Sequence, residues 1–268
     1  MKKIIFLSDL HIGLRRKDTL SARKILLRII ASHPGTPVII AGDLTDSATR
    51  DQFKSVRKLL LKLAETNPTL VVPGNHDYAW KGNVWQDDAW RYWVRYLGSP
   101  LGWPGESVPW MGVDYEPKGV DGLGVWKDGR CVYFGIDSGD PRDKQICARG
   151  YISKQLAGAL AQSLKKYAGK TRIAILHHHP FTAGLDAIFK GLHGSARLVK
   201  ALKNNCELLL FGHQHEYGIW RGKNTVPLTV SSHKVTSTFS GDCLTITIIE
   251  IDKPGTPNVS FHHRLEVL

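Results

Sequence analysis

The chain has 268 residues, 42% of them hydrophobic, with a formal net charge of +12 and an isoelectric point near 9.6. That apolar fraction excludes wholesale disorder and suffices for a sizeable core, while apolar runs of only strand length exclude a membrane-spanning helix. The charge favours anionic partners (phosphates, nucleic acid, acidic membrane surfaces) without choosing among them, and a surface solvated by Lys and Arg accounts for it equally well.

In chain order, KIIFL (residues 3–7) reads as a first strand that runs into Ser8, Asp9, Leu10 and His11. It is too short for a secretory leader and is followed by no small-residue cleavage site, which predicts a cytoplasmic protein. Apolar residues at helical spacing predict a helix over Thr19–Ser32, and PVIIA (residues 37–41) predicts a strand leading to Gly42 and Asp43. A second helix is expected over Arg50–Glu65, and TLVVP (residues 69–73) is a third strand, leading to Gly74, Asn75, His76 and Asp77. Residues 78–124 break the pattern: they hold six of the eight tryptophans and Pro100, Pro104, Pro109 and Pro117. They read as an insertion with one short helix near Asp87–Leu97 and irregular loops. A local aromatic core is its simplest use, and a cap that stacks a nucleobase over the site is the functional alternative.

After the insertion, FGID ends a strand-like run at Asp137, and helices are expected over Lys154–Tyr167 and Ser195–Lys203. RIAIL (residues 172–176) leads to His177, His178, His179 and Pro180, and ELLLF (residues 207–211) leads to Gly212, His213, Gln214 and His215. From Val226 onward three β-rich runs could form a second sheet packed on the first. Cys131, Cys147, Cys206 and Cys243 are scattered with no Cys-x-x-Cys, which argues for free thiols rather than a zinc knuckle or a disulfide frame. No repeat or long linker divides the chain, so one domain over 1–268 is expected.

Each polar cluster follows its strand and none precedes it. Alternating strands and helices predict a parallel sheet, and such sheets bind ligands beyond the carboxyl ends of their strands. The five clusters are therefore expected to meet on one rim of a sheet. Asp9, His11, Asp43, Asn75, His213, His215 and one of the three consecutive histidines would gather there. Two carboxylates, an amide and four imidazoles seldom cluster without a cation. Oxygen and nitrogen donors without sulfur suit Mn, Fe, Zn, Co or Ni, and seven donors exceed what one catalytic ion takes. Two ions about 3.5–4 Å apart with a shared carboxylate would use them all.

The ordered set Asp-x-His, Gly-Asp, Gly-Asn-His-Asp, His and Gly-His-x-His, spanning residues 9 to 215, resembles the calcineurin-like metallophosphoesterase superfamily. The resemblance implies an α/β fold in which a two-sheet β-sandwich is flanked by helices. It implies one metal on Asp9, His11, Asp43 and His215 and a second on Asp43, Asn75, His178 and His213, with Asp43 bridging. His178 is selected because the family ligand usually stands two residues before a proline. His76 matches the histidine that faces the substrate phosphate as general acid or charge stabiliser, and Asp46 the residue that orients it; Asp77 reads as a turn cap. The forms GDLTD, GNHD, HHHP and GHQH are most similar to the small cyclic-nucleotide phosphodiesterase branch. Asp77 in place of Glu, and Ser47 after Asp46, depart from the protein Ser/Thr phosphatases. The expected function is a dinuclear-metal phosphodiesterase on a small substrate such as a cyclic nucleotide. A nuclease acting on DNA or RNA, a phosphomonoesterase and a metal-free scaffold are the alternatives.

Overall fold

A computed structural model of the chain describes residues 1–13, 16–97, 114–117, 122–139, 148–220, 228–231 and 245–268. The first half contains β1 (Lys2–Leu7), α1 (Arg16–Ser32), β2 (Val38–Ala41), α2 (Arg50–Ala64) and β3 (Thr69–Val72). The insertion contributes β4 (Ala79–Trp80), β5 (Val84–Trp85), α3 (Ala89–Leu97) and β6 (Asp114–Pro117). Next come β7 (Leu123–Asp128), β8 (Cys131–Ile136), β9 (Gly150–Tyr151), α4 (Lys154–Lys166) and β10 (Thr171–Ile175). They are followed by α5 (Gly184–Lys190), β11 (Leu192–His193), α6 (Ser195–Leu202) and β12 (Leu208–Phe211). The last strands are β13 (Gly218–Trp220), β14 (Leu228–Ser231), β15 (Thr245–Asp252) and β16 (Ser260–Val267).

The main strands form a five-stranded sheet in the order β16-β15-β1-β2-β3 and a seven-stranded sheet in the order β13-β14-β12-β10-β8-β7-β6. Strands β1, β2 and β3 run parallel, as do β8, β10, β12 and β14; β15 and β7 join them antiparallel. The period-two alternation of the strands sorts side chains between two cores. Tyr133, Ile173, Ile175, Leu208 and Leu210 pack against the first sheet, in one cluster with Phe6, Ile39, Val71 and Ile248. Their neighbours Phe134, Ala174, Leu209 and Phe211 face the other way and pack with Leu156, Leu160 and Leu164 of α4 and Leu198 and Leu202 of α6. Helices α1 and α2 cover the first sheet through Ile25, Ile29, Phe53, Val56 and Leu60. The fold is thus the expected helix-flanked sandwich.

Two expectations change. The β-rich tail does not make a sheet of its own: β15 and β16 extend the first sheet beside β1, and β14 joins the second beside β12. The site loops therefore leave the carboxyl ends of strands in both sheets, β1, β2 and β3 in one and β10 and β12 in the other, instead of one rim of a single sheet. Hydrophobic runs of four or five residues, buried on both faces, carry no signal for which of two stacked layers they enter.

In the insertion, Trp93 of α3 is fully buried, with ring centroids 6.5 Å from both Phe53 of α2 and Tyr78, and Trp85 stacks on Tyr78 at 5.5 Å. These rings form the local aromatic core. Trp103, Trp110, Pro100, Pro104, Pro109, Cys147 and Cys243 lie outside the described residues. Cys131 and Cys206 are buried free thiols, pushed by that burial to about 11 and about 12 respectively. Among the described residues no helix is long and apolar enough to cross a membrane.

Truncating Trp93 to alanine removes the ring that fixes α3 to α2. We expect a loss of about 3–5 kcal/mol, read as a lower urea midpoint at unchanged m-value.

Candidate metal centre

The strand ends turn abruptly. Asp9, His11, Asp43, His213 and His215 have φ of 58°, 44°, 52°, 81° and 58°, and they make up five of the nine described non-glycine residues with positive φ. Left-handed backbone at a residue with a Cβ costs about 1–2 kcal/mol each, so the surroundings must hold it. The amide of Asp9 donates to the Gly42 carbonyl at 3.0 Å and that of His11 to the Asp43 carbonyl at 2.9 Å, lacing the first loop to the second. The buried Asp77 carboxylate accepts from the amides of Leu44 (3.2 Å), Thr45 (2.9 Å) and Gly74 (3.0 Å). It caps the loops after β2 and β3 together. Burial, with Asp43 nearby, raises its pKa to about 6.

Gly42 and Gly74 are demanded by close approach. Gly42, at φ +81°, would bring a Cβ within 2.6 Å of His177 Nδ1, and a Cβ on Gly74 would collide with the Asp43 carboxylate. Gly74 itself has φ −115°, so space, not a sharp turn, is what excludes a side chain.

The side chains meet in two groups that share one carboxylate. Asp9 Oδ1 lies 3.3 Å from His215 Nε2 and 3.8 Å from His11 Nε2, and these two ring nitrogens are 3.2 Å apart. Asp43 Oδ2 lies 3.7 Å from His11 Nε2. Asp9, His11, Asp43 and His215 thus offer four donor atoms within 4.8 Å of one another. On the other side of Asp43, Oδ2 lies 3.3 Å from His177 Nε2. Asn75 Oδ1 is 3.0 Å from His177 Nε2 and 3.1 Å from His213 Nδ1. The second group is therefore Asp43, Asn75, His177 and His213.

Here the structure departs from the sequence reading, which selects His178. The two-residue period decides it: Leu176 turns outward into the core under α4 and α6, so His177 turns inward to Asn75 and Asp43. His178 is held instead by Ser138 Oγ, 2.8 Å from its Nδ1, with its ring 4.8 Å from that of His213 and its Nε2 buried without a hydrogen-bond partner. His179 packs edge-on against Phe211 at 4.6 Å.

Backbone carbonyls set the ring orientations. Ala41 O lies 2.8 Å from His177 Nδ1 and Lys190 O lies 3.1 Å from His213 Nε2, which leaves the opposite nitrogen of each ring for the shared gap. The Asn75 amide donates to Gly82 O at 2.9 Å and so points its oxygen inward. Asp46 O, 2.6 Å away, accepts from His76 Nδ1, whereas the Asp46 carboxylate is 3.8 Å from that atom and 3.9 Å from His11 Nδ1. Asp46 thus orients His76 through its main chain, and its carboxylate accepts instead from Ser47 Oγ at 2.6 Å. Gly82 and Lys190 were not legible in the sequence, since both act through carbonyls that every residue possesses.

Burial alone would raise the carboxyls of Asp9 and Asp43. The imidazoles of His11 and His215 beside it outweigh burial at Asp9, the charges of His177 and His76 outweigh it at Asp43, and both sit well below the usual range. Burial would lower His177, but Asp43 beside it lifts the ring to about 9. His213, buried and facing His177, falls to about 3, and His11 is lowered chiefly by burial. Asp9 Oδ1 is buried with no hydrogen-bond partner. An orphaned carboxylate oxygen aimed at imidazole nitrogens across a gap is what a cation-binding set presents, so the residues fit a metal pair. Above them opens a cavity of about 300 Å³ whose wall includes His76, Lys81, Asn83, Asp186, Lys190 and His215.

The family profile of calcineurin-like phosphoesterases matches residues 2–217. No curated protein matches the chain in sequence. Among solved structures, a candidate 5'-nucleotidase from Staphylococcus aureus aligns over 100% of this chain and 54% of its own at 15% identity, with a TM-score of 0.53. This chain therefore spans about half the length of that protein. Phosphopantetheinyl hydrolase from Mycobacterium tuberculosis aligns over 88% of this chain and 91% of its own at 14% identity, TM-score 0.52. GAP50, the anchor in the inner membrane complex of Plasmodium, aligns over 100% and 89% at 12% identity, TM-score 0.53. These likenesses establish the fold.

Behind the centre, Asp137 accepts from Tyr78 Oη at 3.0 Å and from the Gly139 amide at 2.8 Å, and burial raises it to about 7. Its unfolded value is about 3.9, so between about pH 4 and 7 the folded state binds the extra proton and stability falls as pH rises. In metal-free protein, Asp137→Asn should flatten this segment of the Tm-against-pH curve; an unchanged slope would show that another group sets it.

Proposed function

The chain belongs to the calcineurin-like phosphoesterase family, and we propose that it is a two-metal phosphodiesterase acting on small substrates. The observation that carries this reading is the position of Asp43 Oδ2, 3.3 Å from His177 Nε2 on one side and 3.7 Å from His11 Nε2 on the other. Asp9, His11, Asp43 and His215 would hold one cation, and Asp43, Asn75, His177 and His213 the other. Mn, Fe, Zn, Co and Ni all suit this nitrogen-rich set. When bound, the pair supplies Lewis-acid charge and makes an adjacent water acidic near neutral pH.

The chain's own groups do the rest. His76 stands on the cavity wall with its Nδ1 committed to Asp46 O, which leaves Nε2 to place a proton or positive charge beside the substrate. Lys81 and Lys190 add positive charge to the same wall, where phosphate oxygens would lie. A diester is favoured over a phosphoprotein by Asp77 and Ser47. Both are engaged in local hydrogen bonds, Asp77 as a loop clamp and Ser47 with Asp46. The cavity volume suits a small molecule, and cyclic nucleotides are the first such class to test by motif similarity.

The test is a panel of cyclic nucleotides, bis-p-nitrophenyl phosphate, phosphomonoesters and DNA or RNA under each of the five metals. Turnover of diesters above monoesters supports the reading. Resection or nicking of nucleic acid would make the protein a nuclease, and protein without metal or activity would make it a scaffold.

Two mutation series check the residue roles. Asp43→Asn should reduce the content of both metals together, while His76→Ala should keep them and lower kcat by about 10²–10⁴-fold. Loss of metal in the His76 variant would reassign that residue as a ligand. His177→Ala should take bound metal from two equivalents toward one by mass spectrometry, and His178→Ala should leave it near two; the reverse result would restore His178 to the second position.

A further inference from the structure

Eleven large hydrophobic side chains are exposed among the described residues, and six of them, Trp80, Val84, Phe181, Leu185, Ile188 and Phe189, lie on the β4–β5 hairpin, on α5 or just before α5. Trp80 and Val84 are a cross-strand pair on the β4–β5 hairpin, whose turn supplies Lys81 and Asn83 to the cavity wall. Leu185, Ile188 and Phe189 belong to α5, which supplies Asp186 and Lys190.

Helix α5 inverts the usual arrangement. Leu185, Ile188 and Phe189 have the i, i+3, i+4 spacing of one helix face, and they are 77%, 53% and 53% exposed. Asp186 and Lys190 share a different face, the one on the cavity. None of its residues is buried. Seven residues are too few for a helix to be stable by itself in water, and a face this apolar normally has a partner.

The partner is indicated by charge and by access. The Lys81 ammonium sits 4.8 Å over the Trp80 ring, and the Arg91 guanidinium 5.8 Å over the ring of Trp90, itself 42% exposed. Indole rings paired with cations are the side chains that settle at a membrane–water interface. The chain carries a net +12, which complements an anionic surface. The two apolar patches belong to the segments that supply Lys81, Asn83, Asp186 and Lys190 to the wall of the cavity. A lipid surface covering both would present substrate to it.

We infer that the mouth of this site seats on an anionic lipid surface through α5 and the β4–β5 hairpin, and takes a phosphodiester of an amphiphile from it. The inference rests on the phosphodiesterase reading and ranks an amphiphilic diester above a cyclic nucleotide. The reaction remains hydrolysis: water adds its oxygen to phosphorus, one P–O bond breaks, and the departing alcohol takes up a proton.

The experiment is co-sedimentation with vesicles of phosphatidylglycerol and phosphatidylcholine, against phosphatidylcholine alone. It compares the full chain with a Leu185→Ser, Ile188→Ser, Phe189→Ser triple variant and with Trp80→Ser. These side chains are exposed, and serine changes apolarity without changing charge. Wild type should partition into anionic vesicles about tenfold or more better than the triple variant, with hydrolysis of bis-p-nitrophenyl phosphate equal within about twofold because the four side chains are exposed and outside the lining of the cavity. Trp80→Ser should weaken partition in the same direction.

Equal sedimentation of wild type and triple variant, or none by either, overturns the inference. So does a wild-type dimer that the triple variant turns into a monomer without vesicle binding, since the face would then belong to a second copy. Absence of bis-p-nitrophenyl phosphate hydrolysis under every metal would instead sink the phosphodiesterase reading, and vesicle partition reports the docking surface separately.

Discussion

The structure is organised around the cost of burying Asp9 and Asp43 side by side. Each is almost wholly removed from solvent, and among the described residues the ion-pair partners of both are histidines. Two such carboxylates would oppose folding strongly unless positive charge stood between them. The imidazole of His177 fills that role in part, lifted to about 9 by the Asp43 carboxylate beside it. The field of the two carboxylates favours any cation placed between them and the surrounding ring nitrogens. Fold and chemistry are coupled at this point, because the left-handed turns at Asp9, His11 and Asp43 exist only where neighbouring loops hold them. Five of the nine left-handed non-glycine positions among the described residues fall on the donors, which is consistent with a site shaped for binding.

Much of this was legible in the residues. Apolar runs of strand length, each ending in Asp, Asn or His, located the loops, and helical spacing located α1, α2, α4 and α6 to within a few residues. Asp77 was readable as a cap because Asp beside a glycine turn accepts backbone amides. What the residues did not carry was anything that depends on layer or phase. The partition of strands between two sheets has no local signature. The choice among His177, His178 and His179 turns on strand phase, which is set by whether Leu176 enters the core beneath α4 and α6. A motif aligned on the following proline counts residues but does not see that phase.

The insertion shows the opposite relation between composition and role. Its tryptophans suggested either a core or a stacking platform, and the described part forms the core while leaving two rings outside it. Trp93 and Trp85 are tied into the core through Phe53 and Tyr78. Trp80 and Trp90 are left outside with cations over their rings. Trp93 lies on the face of α3 that meets α2, while Trp90 on the same helix and Trp80 on a two-residue strand are half-exposed.

The carbonyls of Ala41, Lys190 and Asp46 orient His177, His213 and His76, and a carbonyl survives every amino-acid replacement. Drift in the sequence can therefore alter the donors themselves, or the walls around them, but cannot readily reset which nitrogen each ring turns inward. A lineage built this way is free to exchange substrates by remodelling the hairpin and α5 while inheriting its imidazole geometry intact.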